Sequence, residues 1–258
     1  ERPHGIILLT GPTGSGKSTT LYSALNRLNQ SDRKIITIED PIEYQLKGIS
    51  QMQVQPKIGF DFTTGLRSML RHDPDVMMVG EIRDYETAEM SIRASLTGHL
   101  VFSTLHTNDA AGTVTRLIDM GVEPFLIAST MIVAIAQRLV RKVCPHCASA
   151  YQPTAETLEG LRLSAEAIES VTFLRGSGCE LCRQTGYKGR LAICETLPFT
   201  QEIKELTVQS ATSSAIKQQA RALGMRTLRD AGWLRVASGD TTLDEILRVT
   251  ADTDMAFD

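Results

Sequence analysis

The sequence predicts an α/β protein: a mainly parallel sheet with helices on both faces, a small metal-binding insert and a helical C-terminal part. Three observations predict it. Short apolar, β-rich runs at 6–10, 34–38, 76–79 and 100–105 alternate with helical stretches through short crossovers, as in sheets buried on both faces. Gly11 to Thr19, GPTGSGKST, sit between the first run and a helical stretch at 18–28, and match the pattern G-x-x-x-x-G-K-[ST]. Near Val140 the character changes, and Cys144-Pro145-His146-Cys147 is followed after 31 intervening residues by Cys179-Glu180-Leu181-Cys182. The predicted division is a core at 1–140, an insert at 141–190 and a mostly helical part at 191–258.

The glycine-rich loop supplies the first chemistry. Gly11, Gly14 and Gly16 let the backbone curl its N–H groups around an anion, and the following helix offers its positive end. Thr13, Gly14, Ser15, Gly16, Lys17, Ser18 and Thr19 are the expected nucleotide contacts, with Lys17 on the β/γ-phosphates and Ser18 on Mg²⁺. The run 34–38 ends in Glu39-Asp40-Pro41-Ile42-Glu43, which puts three carboxylates at the sheet edge where open α/β folds bind ligands. Residues 49–54 are too polar for a buried strand; with Gln51, Gln53 and Gln55 they read as an exposed ribbon or loop.

Thr63 or Thr64 is expected to cap a short helix ending at Leu70, and Asp73-Pro74-Asp75 breaks it. Val76-Met77-Met78-Val79-Gly80-Glu81 then has the Walker B form, apolar residues followed by an acid. Gly80 stands where many such enzymes carry aspartate, so the acid duty falls on Glu81, helped by Glu39, Asp40 or Glu43. Arg67, Arg71 and Arg83 lie near these acids in sequence, either to pair with them or to meet phosphate charge. A helix over Tyr85–Leu96 ends at Gly98. His99 and His106 bracket the run Leu100–Leu105 and read as sensors, with Thr104, His106 and Asn108 facing the nucleotide.

Two C-x₂-C knuckles can supply four thiolates to a tetrahedral Zn²⁺, so Cys144, Cys147, Cys179 and Cys182 are the expected ligands. Redox chemistry at C-P-H-C is the competing reading, and it leaves the second knuckle unexplained. The separation asks for a small subdomain between the knuckles, with a helix near 157–163. Cys194 reads as a buried core thiol, 191–194 as a last strand, and Thr242-x-x-Glu245 as a capping box opening a helix over Leu243–Val249. The polar tail 252–258 is expected to fray.

Composition narrows the classes. A net charge of −3 gives no electrostatic reason to bind a polyanion, so no nucleic-acid partner is expected. The most lipid-like run, 124–140, contains Ser129, Thr130, Gln137 and Arg138 and falls short of the ~20 apolar residues of a membrane span, so it reads as a core or interface helix. The opening Glu1-Arg2-Pro3-His4, without methionine, suggests the C-terminal portion of a longer protein.

Gly11 to Thr19, Glu39 to Glu43, Val79 to Arg83, Gly98-His99 and Thr104 to Asn108 together resemble the Walker A, Asp box, Walker B and His box of the secretion ATPase superfamily, which drives type II secretion and type IV pilus assembly. The resemblance covers nearly the whole chain. It implies a RecA-like ATPase domain working in a homo-hexameric ring, binding ATP and ADP with Mg²⁺. It further implies a cytoplasmic protein held peripherally at the inner membrane by platform and adaptor proteins. The cysteine insert is typical of the type II secretion and pilus-extension branches, and 94–99 and 120–125 look more like the type II secretion ATPase. By the same resemblance Glu43 is the general base, Glu81 stands at the metal, His99 and His106 sense or orient the γ-phosphate, and Arg83, with Arg67 and Arg71, lies near the γ-phosphate or a subunit interface. Because family arginine fingers also come from a preceding domain, the chain alone is expected to bind ATP but hydrolyse it poorly. The residues alone leave Glu43 and Glu81 undivided. The alternatives are a pilus-extension ATPase, a zinc-containing DNA translocase or helicase, and a redox or metal-storage protein. The single Trp233 and five tyrosines are thin supply for base stacking.

Overall fold

The computed structural model describes residues 4–154, 157, 158, 166, 168 and 171–251. Among them the chain forms two compact units, one of residues 1–136 and 196–225, the other of 137–195 and 226–258. Residues 191–258 thus divide between the two.

In the first unit, β1 (Gly5–Thr10) leads through the glycine-rich loop into α1 (Lys17–Leu28), and β2 (Ile35–Glu39), β3 (Ser50–Gln53), α2 (Phe62–Leu70), β4 (Val76–Val79), α3 (Tyr85–Leu96) and β5 (Leu100–Leu105) follow. Then come α4 (Gly112–Asp119), α5 (Pro124–Thr130) and β6 (Met131–Val143). After β9 (Tyr187–Pro198) the unit closes with α6 (Gln201–Val208) and α7 (Ser213–Ala222). Strand order in the seven-stranded sheet is β3-β2-β4-β5-β1-β6-β9. The pairs β1/β5, β1/β6, β2/β3, β2/β4 and β4/β5 are all parallel.

Every residue of β2, β4 and β5 is buried, because helices cover both faces. Side chains of a strand alternate between faces, and the packing follows that period. Ile35, Val76, Met78, Leu100 and Phe102 meet Leu21, Tyr22 and Leu25 of α1. On the opposite face Ile38 lies so close to Gly65 of α2 that a Cβ there would come within 1.8 Å of it. Each such large apolar side chain contributes roughly 1.5–3 kcal/mol by leaving water.

Two sequence expectations change, and the choice between exposed ribbon and loop at 49–54 falls to the ribbon. The run 124–140 is not one helix: α5 stops at Thr130 and β6 begins at Met131. β-Branched Ile132, Val133 and Ile135 favour the strand, and β1 takes it as a parallel partner from Ile6↔Met131 to Thr10↔Ala136. Helix α2 is capped by Asp61, not Thr63 or Thr64; the Asp61 carboxylate accepts the Thr64 N–H at 2.8 Å, which also lowers its pKa. Residues 50–53 are a true strand on the edge of the sheet, exposed or half-buried as their polarity requires.

The second unit holds most of β6 and β9, the antiparallel pair β7 (Ala148–Ala150) and β8 (Leu174–Gly176), α8 (Leu228–Ala237) and α9 (Leu243–Val249). The Thr242 hydroxyl accepts the Glu245 N–H at 3.1 Å, but the box is not completed. The Glu245 carboxylate, fully buried, instead takes Arg141 at 2.6 Å and Arg248 at 2.8 Å. Burial alone would raise its pKa; the two arginines outweigh that and hold it at about 2. Cys194 is half-buried, and burial pushes its thiol up. Thr157 and Leu158 are helical; the rest of the helix expected at 157–163, like the tail 252–258, lies outside the described residues.

Candidate phosphate edge and cysteine cluster

Parallel registry brings the carboxyl ends of four strands to one edge. Thr10 of β1 pairs with Leu105 of β5, and Val79 of β4 pairs with both Ser103 of β5 and Ile38 of β2. The loops leaving this edge carry Gly11 to Thr19, His106, Glu81 and Glu43 in turn, so residues of all four predicted boxes converge, although Gly98-His99 stand at the other end of β5.

Gly16 enters α1 at φ 85°, a left-handed conformation that glycine takes without a Cβ penalty. No side chain caps α1, so its first N–H groups face the loop. Lys17 Nζ folds back to donate to the carbonyls of Gly11 at 2.7 Å and Pro12 at 3.1 Å. Thr13, Gly14, Ser18 and Thr19 are exposed, Gly16 and Lys17 half-buried, and Ser15 buried. The Thr10 hydroxyl accepts the Thr107 N–H at 2.7 Å and so fixes the His106 loop against the base of the phosphate loop.

Glu81 is buried beside two partners, with Arg83 Nη2 at 2.6 Å and His106 Nε2 at 3.6 Å. Its backbone is set by Thr104, whose hydroxyl donates to the Gly80 carbonyl at 2.7 Å and whose carbonyl accepts the Ile82 N–H at 2.9 Å. Position 80 is tight for a side chain: a Cβ there would lie 3.3 Å from Glu39 Cα and from the Ile38 carbonyl, so β2 would have to give by a few tenths of an ångström to admit an aspartate. The other acidic cluster divides. Glu39 is buried and takes the Tyr22 hydroxyl, which burial and this bond keep from ionising by raising its pKa. Asp40 and Glu43 are exposed.

Three predicted residues are not brought to the site contacts, one of them Arg71, which stands exposed at the C-cap of α2. His99 stands at the amino end of β5, roughly 23 Å along the strand from His106. Its Nδ1 lies 2.8 Å from the Ala94 carbonyl and 3.1 Å from the Thr97 hydroxyl, so it closes the end of α3. Arg67 pairs with Glu86 on α3. Tyr22 was absent from the sequence expectation; its position four residues after Ser18, on the same face of α1, is the signal that marks it.

In the second unit the four knuckle sulfurs lie within 4.8 Å of one another, with Cys144–Cys179 at 3.9 Å, Cys147–Cys182 at 3.8 Å and Cys179–Cys182 at 3.7 Å. A tetrahedron with Zn–S of about 2.3 Å has edges of about 3.8 Å, so the donors fit Zn²⁺. The cluster is framed by backbone: the Cys144 N–H donates to the Gly186 carbonyl at 2.9 Å, and the Gly186 N–H points to Cys182 Sγ at 3.3 Å. Burial would raise the Cys182 thiol, but N–H groups of Cys179 and Gly186 outweigh it and lower it to about 6, whereas burial pushes Cys147 up to about 12. Four converging sulfurs suit a metal; thiol redox chemistry needs two.

A parallel sheet that gathers a G-x-x-x-x-G-K-S loop, a Walker B acid and a histidine at one edge defines a P-loop nucleotide-binding protein of the α/β class. More particularly, the chain belongs to the Type II/IV secretion system protein family, whose model matches residues 1–248. It is 52% identical over 252 residues to Type II secretion system protein HxcR of Pseudomonas aeruginosa, covering 98% of this chain and 50% of that protein. It is 49% identical over 252 residues to Type IV pilus assembly ATPase PilB of Myxococcus xanthus, covering 97% of this chain and 44% of that one. Among solved structures, the pilus retraction motor PilT with bound ADP matches with a TM-score of 0.70 at 32% identity, over 95% of this chain and 61% of that chain. The chain therefore spans about half the length of the curated relatives it matches. No helix among the described residues is long and apolar enough to cross a membrane.

Proposed function

We propose that this chain is the ATP-hydrolysing motor portion of a hexameric ATPase that drives pseudopilus assembly and protein export by type II secretion. The observation that carries the reading is the convergence, at one sheet edge, of the 11–19 loop, the Glu81–Arg83–His106 cluster and the Glu43 loop. The 52% identity to a type II secretion protein supports the choice of machine. Type IV pilus assembly is the second reading, supported by the 49% identity to a pilus assembly ATPase.

In this reading Lys17 turns from the Gly11 and Pro12 carbonyls to the β- and γ-phosphates, which meet the N–H groups of α1. Ser18, with Glu81 close by, would hold Mg²⁺, which would supply positive charge to the phosphates. Glu43, exposed on its loop, accepts the proton of the attacking water. His106 reports the γ-phosphate to Glu81, and Arg83 stabilises the charge that develops on it. Residues 1–140 carry this chemistry, 141–190 hold Zn²⁺ through Cys144, Cys147, Cys179 and Cys182 as a structural ion, and 191–258 complete the fold. The ring acts from the cytoplasm, held at the inner membrane by platform and adaptor proteins.

The deciding measurement is Glu43→Gln, assayed for binding of a fluorescent ATP analogue and for hydrolysis. Binding within about twofold of native, with hydrolysis down about 100-fold or more, is expected for loss of a general base; hydrolysis at the native rate overturns the assignment. Restoration of export, rather than of pili, in a strain lacking its own secretion ATPase selects the machine.

A further inference from the structure

Strand β3 lies at the sheet edge against apolar β2, yet it carries Gln51 and Gln53, two residues apart and so on one face. Both reach the loop that carries Glu43. Gln51 Oε1 accepts the Leu46 N–H at 2.6 Å, and its Nε2 donates to Glu39 Oε1 at 3.0 Å and to the Tyr44 carbonyl at 3.3 Å. Gln53 Oε1 accepts the Ile42 N–H at 3.3 Å. From α1 the Tyr22 hydroxyl donates to Glu39 Oε2 and accepts the Glu43 N–H at 3.3 Å. Thr37 completes the buried carboxylate's set, donating to Oε1 at 2.6 Å. The loop is thus held by its backbone at 42, 43, 44 and 46, while the Glu43 side chain stays exposed.

We propose that Gln51 is a positioning residue for Glu43: its amide fastens the Glu43 loop to the buried carboxylate of Glu39, which Tyr22 in turn fastens to the phosphate-loop helix. The inference rests on the reading of Glu43 as general base. Only an amide side chain supplies an acceptor for Leu46 N–H and two donors, for Glu39 and for Tyr44. Methionine keeps the length and loses all three bonds; glutamate keeps the acceptor and sets a second carboxylate against Glu39. A catalytic group displaced by about 1 Å loses about 10²-fold in rate, whereas nucleotide held at 11–19 does not depend on this loop.

The test uses the full chain in its native assembly. Gln51→Met is expected to lower kcat about 10- to 100-fold, with KM for ATP and affinity for ADP within about twofold, and to speed amide exchange at 42–46. Added to Glu43→Gln it should lower the residual rate no further, because the residue it positions has already lost its function. Gln51→Glu should regain activity relative to native as the pH falls from about 8 to about 6, since a carboxylate beside Glu39 has a raised pKa and its protonated form donates again. A native kcat in Gln51→Met, an equal drop in the Glu43→Gln background, or a flat ratio for Gln51→Glu overturns the proposal. If Glu43→Gln itself hydrolyses at the native rate, the reading of the base has failed; if Glu43→Gln is inactive and Gln51→Met is native, only the role of Gln51 has.

Discussion

The phosphate edge and the cysteine cluster solve the same problem, placing several polar groups within a few ångströms, by opposite means. At the edge, four loops are set by the registry of four parallel strands, and their side chains are seated by backbone bonds such as those of Thr104 and Thr107. The geometry comes from the sheet and exists before a ligand arrives. In the cluster, two knuckles meet on short elements, a turn at 144–147 and a single helical turn at Glu180–Cys182. There, under the proposed reading, a bound ion would serve as the core. A site built on a scaffold tolerates loss of its ligand; a site that is its own scaffold does not.

The sharpest way to break this contrast is to remove the metal. Cys144→Ser, or a strong chelator, should unfold the region around both knuckles, because structural zinc supplies about 10–16 kcal/mol of apparent stability in finger peptides. Amide exchange at 171–190 should rise to that of unfolded chain while ADP affinity stays within about twofold; loss of ADP binding would show that the edge is not self-supporting. Lys17→Ala is the converse: nucleotide affinity should fall about 100-fold, or about 2.7 kcal/mol, with the melting temperature almost unmoved. A large drop in melting temperature would mean that Lys17 holds the loop rather than the ligand.

Smaller effects refine the picture. Glu245→Gln leaves Arg141 and Arg248 without a carboxylate and should cost about 2–3 kcal/mol in denaturant melts. Because the folded pKa is lowered from 4.5 to about 2, the native protein keeps this stabilisation above about pH 4.5 and loses it as pH falls toward about 2. The variant should show a flatter acid limb over that window. Arg67→Ala is the least: its pair with Glu86 has both side chains more than half exposed, so under about 0.5 kcal/mol is expected, with hydrolysis unchanged. A tenfold fall in rate would return Arg67 to the site.

What was legible in the sequence follows the same division. The bounds of α3, β5 and α9 and the order of the four boxes were readable because their signals are local: a 3.6-residue period, a β-branched run, glycines at a turn. The strand at 131–143 was not, because a long apolar run suits helix and strand alike, and the choice was made by β1, more than a hundred residues earlier. The contrast between His99 and His106 was hidden for a related reason. Both flank β5, but only topology says which end of a strand faces the ligand. Tyr22 and Gln51 stayed out of sight since their partners, Glu39 and the loop after it, are met only across the sheet. Convergence of the four thiols was the easiest long-range contact to foresee, since the C-x₂-C spacing within each knuckle is that of a metal-ligand pair.

The position of β1 has a consequence for synthesis. It lies between β5 and β6, whose partners to Gly5 and Ile6 are Leu100 and Met131, 95 and 125 residues later. At ribosomal rates of about 5–20 residues per second, GIILLT emerges about 6–25 s before both neighbours exist. During that interval its apolar side chains and unpaired amides have no native partner. The strand that leads into the phosphate loop thus waits longer for its neighbours than β2, which pairs with β3 and β4.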